Sequence, residues 1–125
     1  MDRDKPHLPY SAPIDAYGGG GFRFAGMSHR GSLLCLPNGI WACSVTAPAG
    51  IDEKSLALVL NETPRIEHCL IGTGSVPWIM PGALRDLFQQ HHIVTETMTT
   101  GAAVRTYNIL LDERRCIAAL LIAVD

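Results

Sequence analysis

The chain has no apolar run long enough to cross a bilayer. Its longest wholly apolar stretch near the C-terminus, Cys116 to Val124, holds nine residues, against the roughly 20 a spanning helix needs. Neither sign of charge dominates, since 10 Lys and Arg stand against 12 Asp and Glu for a formal net charge of −2. That balance excludes the broad basic footprint with which proteins hold nucleic acid or an anionic membrane. The opening residues, MDRDKPHLPYSAP, are charged and proline-rich and lack the apolar stretch of a signal peptide. Two aspartates among them also disfavour a transit peptide. The resulting expectation is a cytoplasmic protein with a flexible tail at 1–13 and a single α/β domain at 14–125. That length suffices for a real core.

Known catalytic patterns are missing as well. The sequence has no Walker loop, no G-x-S-x-G elbow, no H-E-x-x-H helix and no paired zinc motif. The four cysteines, Cys35, Cys43, Cys69 and Cys116, are far apart, without C-x-x-C spacing, and all lie in or beside apolar runs. Their expected role is that of small core residues. His91-His92 invites a metal reading, but adjacent helical residues point about 100° apart. No histidine or carboxylate cluster completes a site around them, so neither a metal nor a cofactor is expected. The glycine run Gly18 to Gly21 lacks G-x-G-x-x-G spacing, is followed by no lysine and opens no helix. It reads as a loop or tight turn into a strand.

The segment Cys116–Val124 is instead the best candidate for the centre of the fold. A strand with one wet face alternates apolar and polar residues. An unbroken apolar run implies two covered faces, as in the central strand of an α/β sheet. Before it, Ala103, Val104, Tyr107, Leu110 and Leu111 recur at helical spacing, behind a capping Thr99 or Thr100. The rival arrangement, a hairpin pairing 108–113 with 116–122, lacks a turn signal at Arg114-Arg115.

Earlier segments are β-rich. Strands are expected at Phe22–Met27 and Gly31–Leu36, with Pro37-Asn38-Gly39 turning the second back into Ile40–Val45. Asn-Gly at that turn suits positive φ at both central positions. A two-residue loop then sets Cys35 opposite Ala42, a three-residue loop puts Cys35 and Cys43 diagonally on one face, and neither register sets the two opposite each other. A first helix follows Gly50, with Asp52 as N-cap, an Ile51–Leu56 staple and Pro64 as its stop. Strand Ile66–Ile71, a helix over 81–92 and strand Ile93–Met98 form a parallel βαβ unit. The architecture read from the residues is α/β, with an additional N-terminal β-hairpin layer.

One candidate site follows from that topology. The loop Gly72-Thr73-Gly74 and the helix start at Thr100-Gly101 fall at the carboxyl ends of parallel strands, where open α/β sheets take ligands. Free N–H groups there, with Arg105 a turn further on, suit an anion. The alternative is structural, with Arg105 pairing Glu96 or Asp86. His68 and Glu96 are nearby candidates for proton transfer. Trp78 and Met80, in the loop before the helix at 81, are candidates for an interaction patch or for capping the core.

Several stretches together resemble a known family: Ile14–Tyr17 with Gly20–Gly26, Gly31–Leu34, Leu70–Gly74, Leu84-Arg85, Thr99–Asn108 and Ala118–Leu120. The chain resembles the small α/β domain-of-unknown-function family that includes the mitochondrial complex I assembly factor 3, in the form of an alphaproteobacterial member. The resemblance implies a three-layer fold, a central mixed β-sheet flanked by helices with one strand antiparallel. It implies no enzymatic activity and no cofactor. It implies partners among respiratory complex I subunits or a partner assembly factor. Where many members carry Gly, this chain has His92, which puts the usual left-handed helix cap in question. Two functions follow as expectations. The first is a non-enzymatic interaction or assembly factor. The second is a small anionic-ligand-binding module or enzyme using Gly72, Thr73, Gly74, Thr100, Gly101 and Arg105.

Overall fold

In the computed structural model, which describes residues 6–61 and 65–125, the apolar C-terminal segment is the middle strand of the main sheet. The strands are β1 (Ala16–Gly18), β2 (Gly21–Phe24), β3 (Met27–Arg30), β4 (Ser32–Leu36), β5 (Gly39–Cys43), β6 (His68–Gly72), β7 (Val94–Met98) and β8 (Ile117–Leu121). The helices are α1 (Ala57–Leu60), α2 (Gly82–Gln90) and α3 (Thr100–Asp112). Five strands form one mixed sheet in the order β5-β4-β8-β6-β7, and β1-β2-β3 form a second, antiparallel sheet. Strands β8, β6 and β7 run parallel, whereas β4 is antiparallel both to β8 and to β5. The reversed strand is therefore β4.

Burial on both faces explains the unbroken apolar pattern of β8. Ile117, Ala119 and Leu121 enter one core with Leu33, Leu70, Val104 and Tyr107. Ala118, Leu120 and Ile122 enter the other with Leu34, Ile71, Phe88 and Val59. The first core lies under α3 and the three-stranded sheet, and the second under α1 and α2. The segment 108–112 is helical, so the rival hairpin does not form.

The expected strand 22–27 is two strands. Ala25 and Gly26 both adopt positive φ (+49° and +76°), as do Gly19 and Gly20 (+61° and +83°). Each pair makes a two-residue turn whose twist matches its flanking strands. Nothing about an alanine announces the first turn. At Gly21 a side chain is impossible, since its Cβ would fall on the backbone carbonyl of His29.

The additional N-terminal β layer is the β1-β2-β3 sheet, while the β4–β5 hairpin joins the main sheet in a register that differs from expectation. Leu36 pairs with Gly39 and Cys35 with Ile40, so the loop is Pro37-Asn38. Pro37 has no N–H to close a hairpin around Asn38-Gly39, and its fixed φ suits the first turn position instead. Gly39 is required for another reason: a Cβ there would lie 2.8 Å from the Leu8 carbonyl oxygen and 2.9 Å from the Trp41 ring. The described part of the expected tail is packed. Leu8 and Ala12 are buried, and Ile40 exchanges backbone hydrogen bonds with His7 and Leu8. Tyr107 Oη donates to Ala12 O at 3.1 Å. Asn108 clamps Ile14, accepting from its N–H and donating to its carbonyl, both at 2.9 Å. Side-chain groups of α3 thus stand in for a missing strand partner along residues 12–14.

The first helix is shorter than expected. Asp52 caps a turn, its carboxylate accepting from Ser55 N–H at 2.8 Å while Ser55 Oγ accepts from Asp52 N–H at 2.9 Å. Regular α structure covers only Ala57–Leu60. Pro64, its expected stop, lies outside the described residues. Helix α2 begins after Pro81, which is its N-cap. His92 takes the left-handed conformation itself, with φ +57°, so the cap forms without glycine. A side chain in that conformation costs roughly 1 kcal/mol. His92→Gly should therefore raise stability by about 0.5–1 kcal/mol, read as a higher urea midpoint at unchanged slope.

Candidate interaction site

The carboxyl ends of β6 and β7 do meet the start of α3, and their polar groups are spent on one another. Thr100 is fully buried. Its hydroxyl donates to Ile122 O at 2.6 Å and accepts from Gly74 N–H at 2.9 Å. Its own N–H donates to Gly74 O at 2.9 Å. Thr99 and Thr100 make no side-chain cap; Thr100 joins the β6 loop, α3 and the end of β8 instead. Thr73 Oγ1 shares its proton between Val76 O at 2.9 Å and Met98 O at 3.2 Å. Gly72 is small because its neighbours are close: a Cβ would lie 3.1 Å from Thr100 Cα and 3.2 Å from Ala103 Cβ.

Gly101 and Arg105 face elsewhere. A Cβ on Gly101 would fall on the Tyr17 hydroxyl, so that side chain lies against the helix start. Together with Asp15 and Tyr17 they line a cleft of about 400 Å³. Thr73 and Gly74 line a different cleft of about 300 Å³ with Ser75 and Val76. Arg105 is exposed and forms no ion pair among the described residues. Glu96, its expected partner, meets His68 at 3.3 Å instead. That contact is solvent-exposed on the Glu side and worth at most about 1 kcal/mol.

The loop between β6 and α2 presents apolar side chains outward. Val76 is 68% exposed and Ile79 is 86% exposed. Met80 points inward and is buried, and Trp78 is half-buried against the same core. Ile79 is bare because it lies between two inward-facing neighbours in an extended segment, and Val76 is bare in the turn that Thr73 holds. The signal was present in Val76-Pro77-Trp78-Ile79-Met80, an apolar run in a loop between Gly74 and Pro81. The loop is held in place. Thr73 Oγ1 fixes Val76, Thr97 Oγ1 donates to Trp78 O at 3.3 Å, and Met80 anchors the far end.

The cysteines offer no ready nucleophile in the core. Burial pushes the Cys35 and Cys69 thiols up to about 12, so both stay protonated near neutral pH. Cys43 and Cys116 are only partly buried, and all four are free. No group of three or more His, Cys, Asp or Glu that could hold a metal ion occurs among the described residues. Among the same residues no helix is long and apolar enough to cross a membrane.

A five-stranded mixed sheet covered by helices on one side, and by α3 with a small antiparallel sheet on the other, defines a small α/β domain. Its most distinctive surface is an anchored apolar loop. The chain belongs to the family described as protein of unknown function DUF498/DUF598, whose model matches residues 14–122. An uncharacterized Rhodobacter capsulatus protein is 34% identical over 94% of this chain and 90% of its own length. A Xenopus tropicalis protein named NADH dehydrogenase (ubiquinone) 1 alpha subcomplex assembly factor 3 is 32% identical over 98% of this chain. The match spans 65% of that factor's own length. Among solved structures, a Bartonella henselae protein described as an outer membrane protein is 52% identical, with a TM-score of 0.90. It covers 95% of this chain and 100% of that one.

Proposed function

We propose that the protein is a non-enzymatic interaction factor in the assembly of respiratory complex I, working from the cytoplasm of a bacterial cell. Its partner is a complex I subunit or a second assembly factor, held through the Val76–Ile79 loop. The observation that carries this reading is the exposure of Val76 and Ile79 on a loop pinned at both ends. Large apolar side chains fixed in water gain nothing for the isolated domain, and their burial against a partner is favourable by roughly 25 cal/mol per Å². Likeness to proteins named as NADH dehydrogenase assembly factors supplies the class of partner.

Tagged protein expressed in a respiring alphaproteobacterial host should recover complex I subunits or an assembly partner under mild conditions. The Val76→Ser/Ile79→Ser variant should recover at least about tenfold less. Both side chains are exposed, so its stability should stay within about 0.5 kcal/mol of wild type per site. Equal recovery by the two proteins, or recovery of no such protein by the wild type, contradicts the reading.

A further inference from the structure

The solvent face of the three-stranded sheet is basic over a floor of small residues. Strand register sets Ala16, Arg23 and Ser28 in one row and Gly18, Gly21 and Arg30 in the next. The opposite face buries Phe22 and Phe24. These residues line a cleft of about 390 Å³. The long side chains on its floor are the two arginines, at diagonal positions whose Cβ atoms lie roughly 7–8 Å apart in such a pair. Both are exposed, and neither makes a side-chain hydrogen bond or ion pair among the described residues. Tyr17, in the row between, turns to the opposite face and lies against the start of α3. Among the described residues, no acidic side chain lines the cleft. His29 adds little positive charge at neutral pH. Burial first, and His7 beside it, lower its pKa, against a raising bond to the Ser32 carbonyl. Two arginines standing on one face, in a chain of net charge −2, form a local field of the opposite sign.

We propose that this face docks an acidic segment of the protein partner, with carboxylates paired to Arg23 and Arg30. The assignment rests on the interaction-factor reading and adds a second contact to it. The cleft is open, whereas small ligands bury most of their surface in enclosed pockets. Arginine is among the residues that dominate protein interfaces. Guanidinium groups with no ion pair among the described residues, over a low floor, are placed for bidentate carboxylate pairing. Such contacts chiefly raise the association rate and weaken as salt rises.

The test uses the full chain and a hexaglutamate peptide, followed by amide NMR shifts, with inorganic phosphate in a parallel titration. The expected result is saturable movement at Gly18 to Arg23 and at Arg30, with little at Val76 or Ile79. Arg23→Gln/Arg30→Gln should leave the fold intact and weaken the peptide at least about tenfold. Movement spread evenly over the surface, or peptide binding unchanged in the double variant, overturns the proposal. Phosphate saturating the same amides more tightly than the peptide also overturns it, in favour of a small-anion site. Any of these failures leaves capture through Val76 and Ile79 untouched, because the peptide titration does not involve that loop.

Discussion

Leu120→Ala is expected to destabilise the protein by about 2–5 kcal/mol, a large share of the roughly 6–19 kcal/mol typical for a chain of this size. Leu120 is fully buried in the middle strand of the main sheet. Its register neighbours are Leu34 on β4 and Ile71 on β6, and the helices α1 and α2 cover that face. Strands on both sides and helices above leave little room for the site to collapse around a shortened side chain, so both the transfer and cavity contributions are lost. Urea unfolding checks it: the midpoint should fall with an unchanged slope. Ile109→Ala serves as the control. Ile109 is 54% exposed on α3, and its replacement should cost no more than about 0.5 kcal/mol.

Thr100→Val should cost about 2–4 kcal/mol although the two side chains are nearly the same shape. The hydroxyl satisfies Gly74 N–H and Ile122 O at once, and each group left unpaired in a buried position costs about 1–3 kcal/mol. Thr100→Ser should recover most of the loss, since it restores both bonds and gives up one methyl. Chemical denaturation of the two variants separates a structural role from a ligand-binding one. A binding role alone predicts Thr100→Val as stable as wild type, with anion affinity reduced.

The architecture was largely legible from periodicity. Cys116–Val124 announced a doubly covered strand because no polar residue interrupts it, and β8 is the middle strand of five. The repeat from Ala103 to Leu111 announced α3 for the same kind of reason. Local conflicts were harder to see. Pro37 overrode the Asn38-Gly39 signal, since it has no N–H to close that hairpin and its φ suits the first turn position. Ala25 adopts positive φ because the two strands it joins, β2 and β3, pair in a register that demands it. The opening segment 1–13 reads as loose for its prolines and charge, yet its Leu8 and Ala12 find apolar surface that only the folded hairpin and α3 create.

The site was legible in part. Topology brought Gly72, Thr73, Gly74 and Thr100 together, but spacing cannot show that their donors and acceptors are already matched. Arg105 was singled out, whereas Arg23 and Arg30 were missed. Their partnership exists only through the β2–β3 register, which depends on a turn at Ala25-Gly26. In the loop before α2, alternation leaves Ile79 bare between Trp78 and Met80, whereas the exposure of Val76 depends on the turn at 74–76, which no residue type announces.

The most direct test of the interaction role is photo-crosslinking from position 79 in respiring alphaproteobacterial cells, with p-benzoylphenylalanine incorporated there. Ile79 is 86% exposed, so the substitution leaves the fold alone and puts the reactive group at the proposed contact. The account predicts a specific adduct to a complex I subunit or assembly factor, absent when the probe is moved to exposed Glu53 on the α1 side. A probe at position 79 that yields no such adduct, while the protein is folded and present at normal levels, would contradict it.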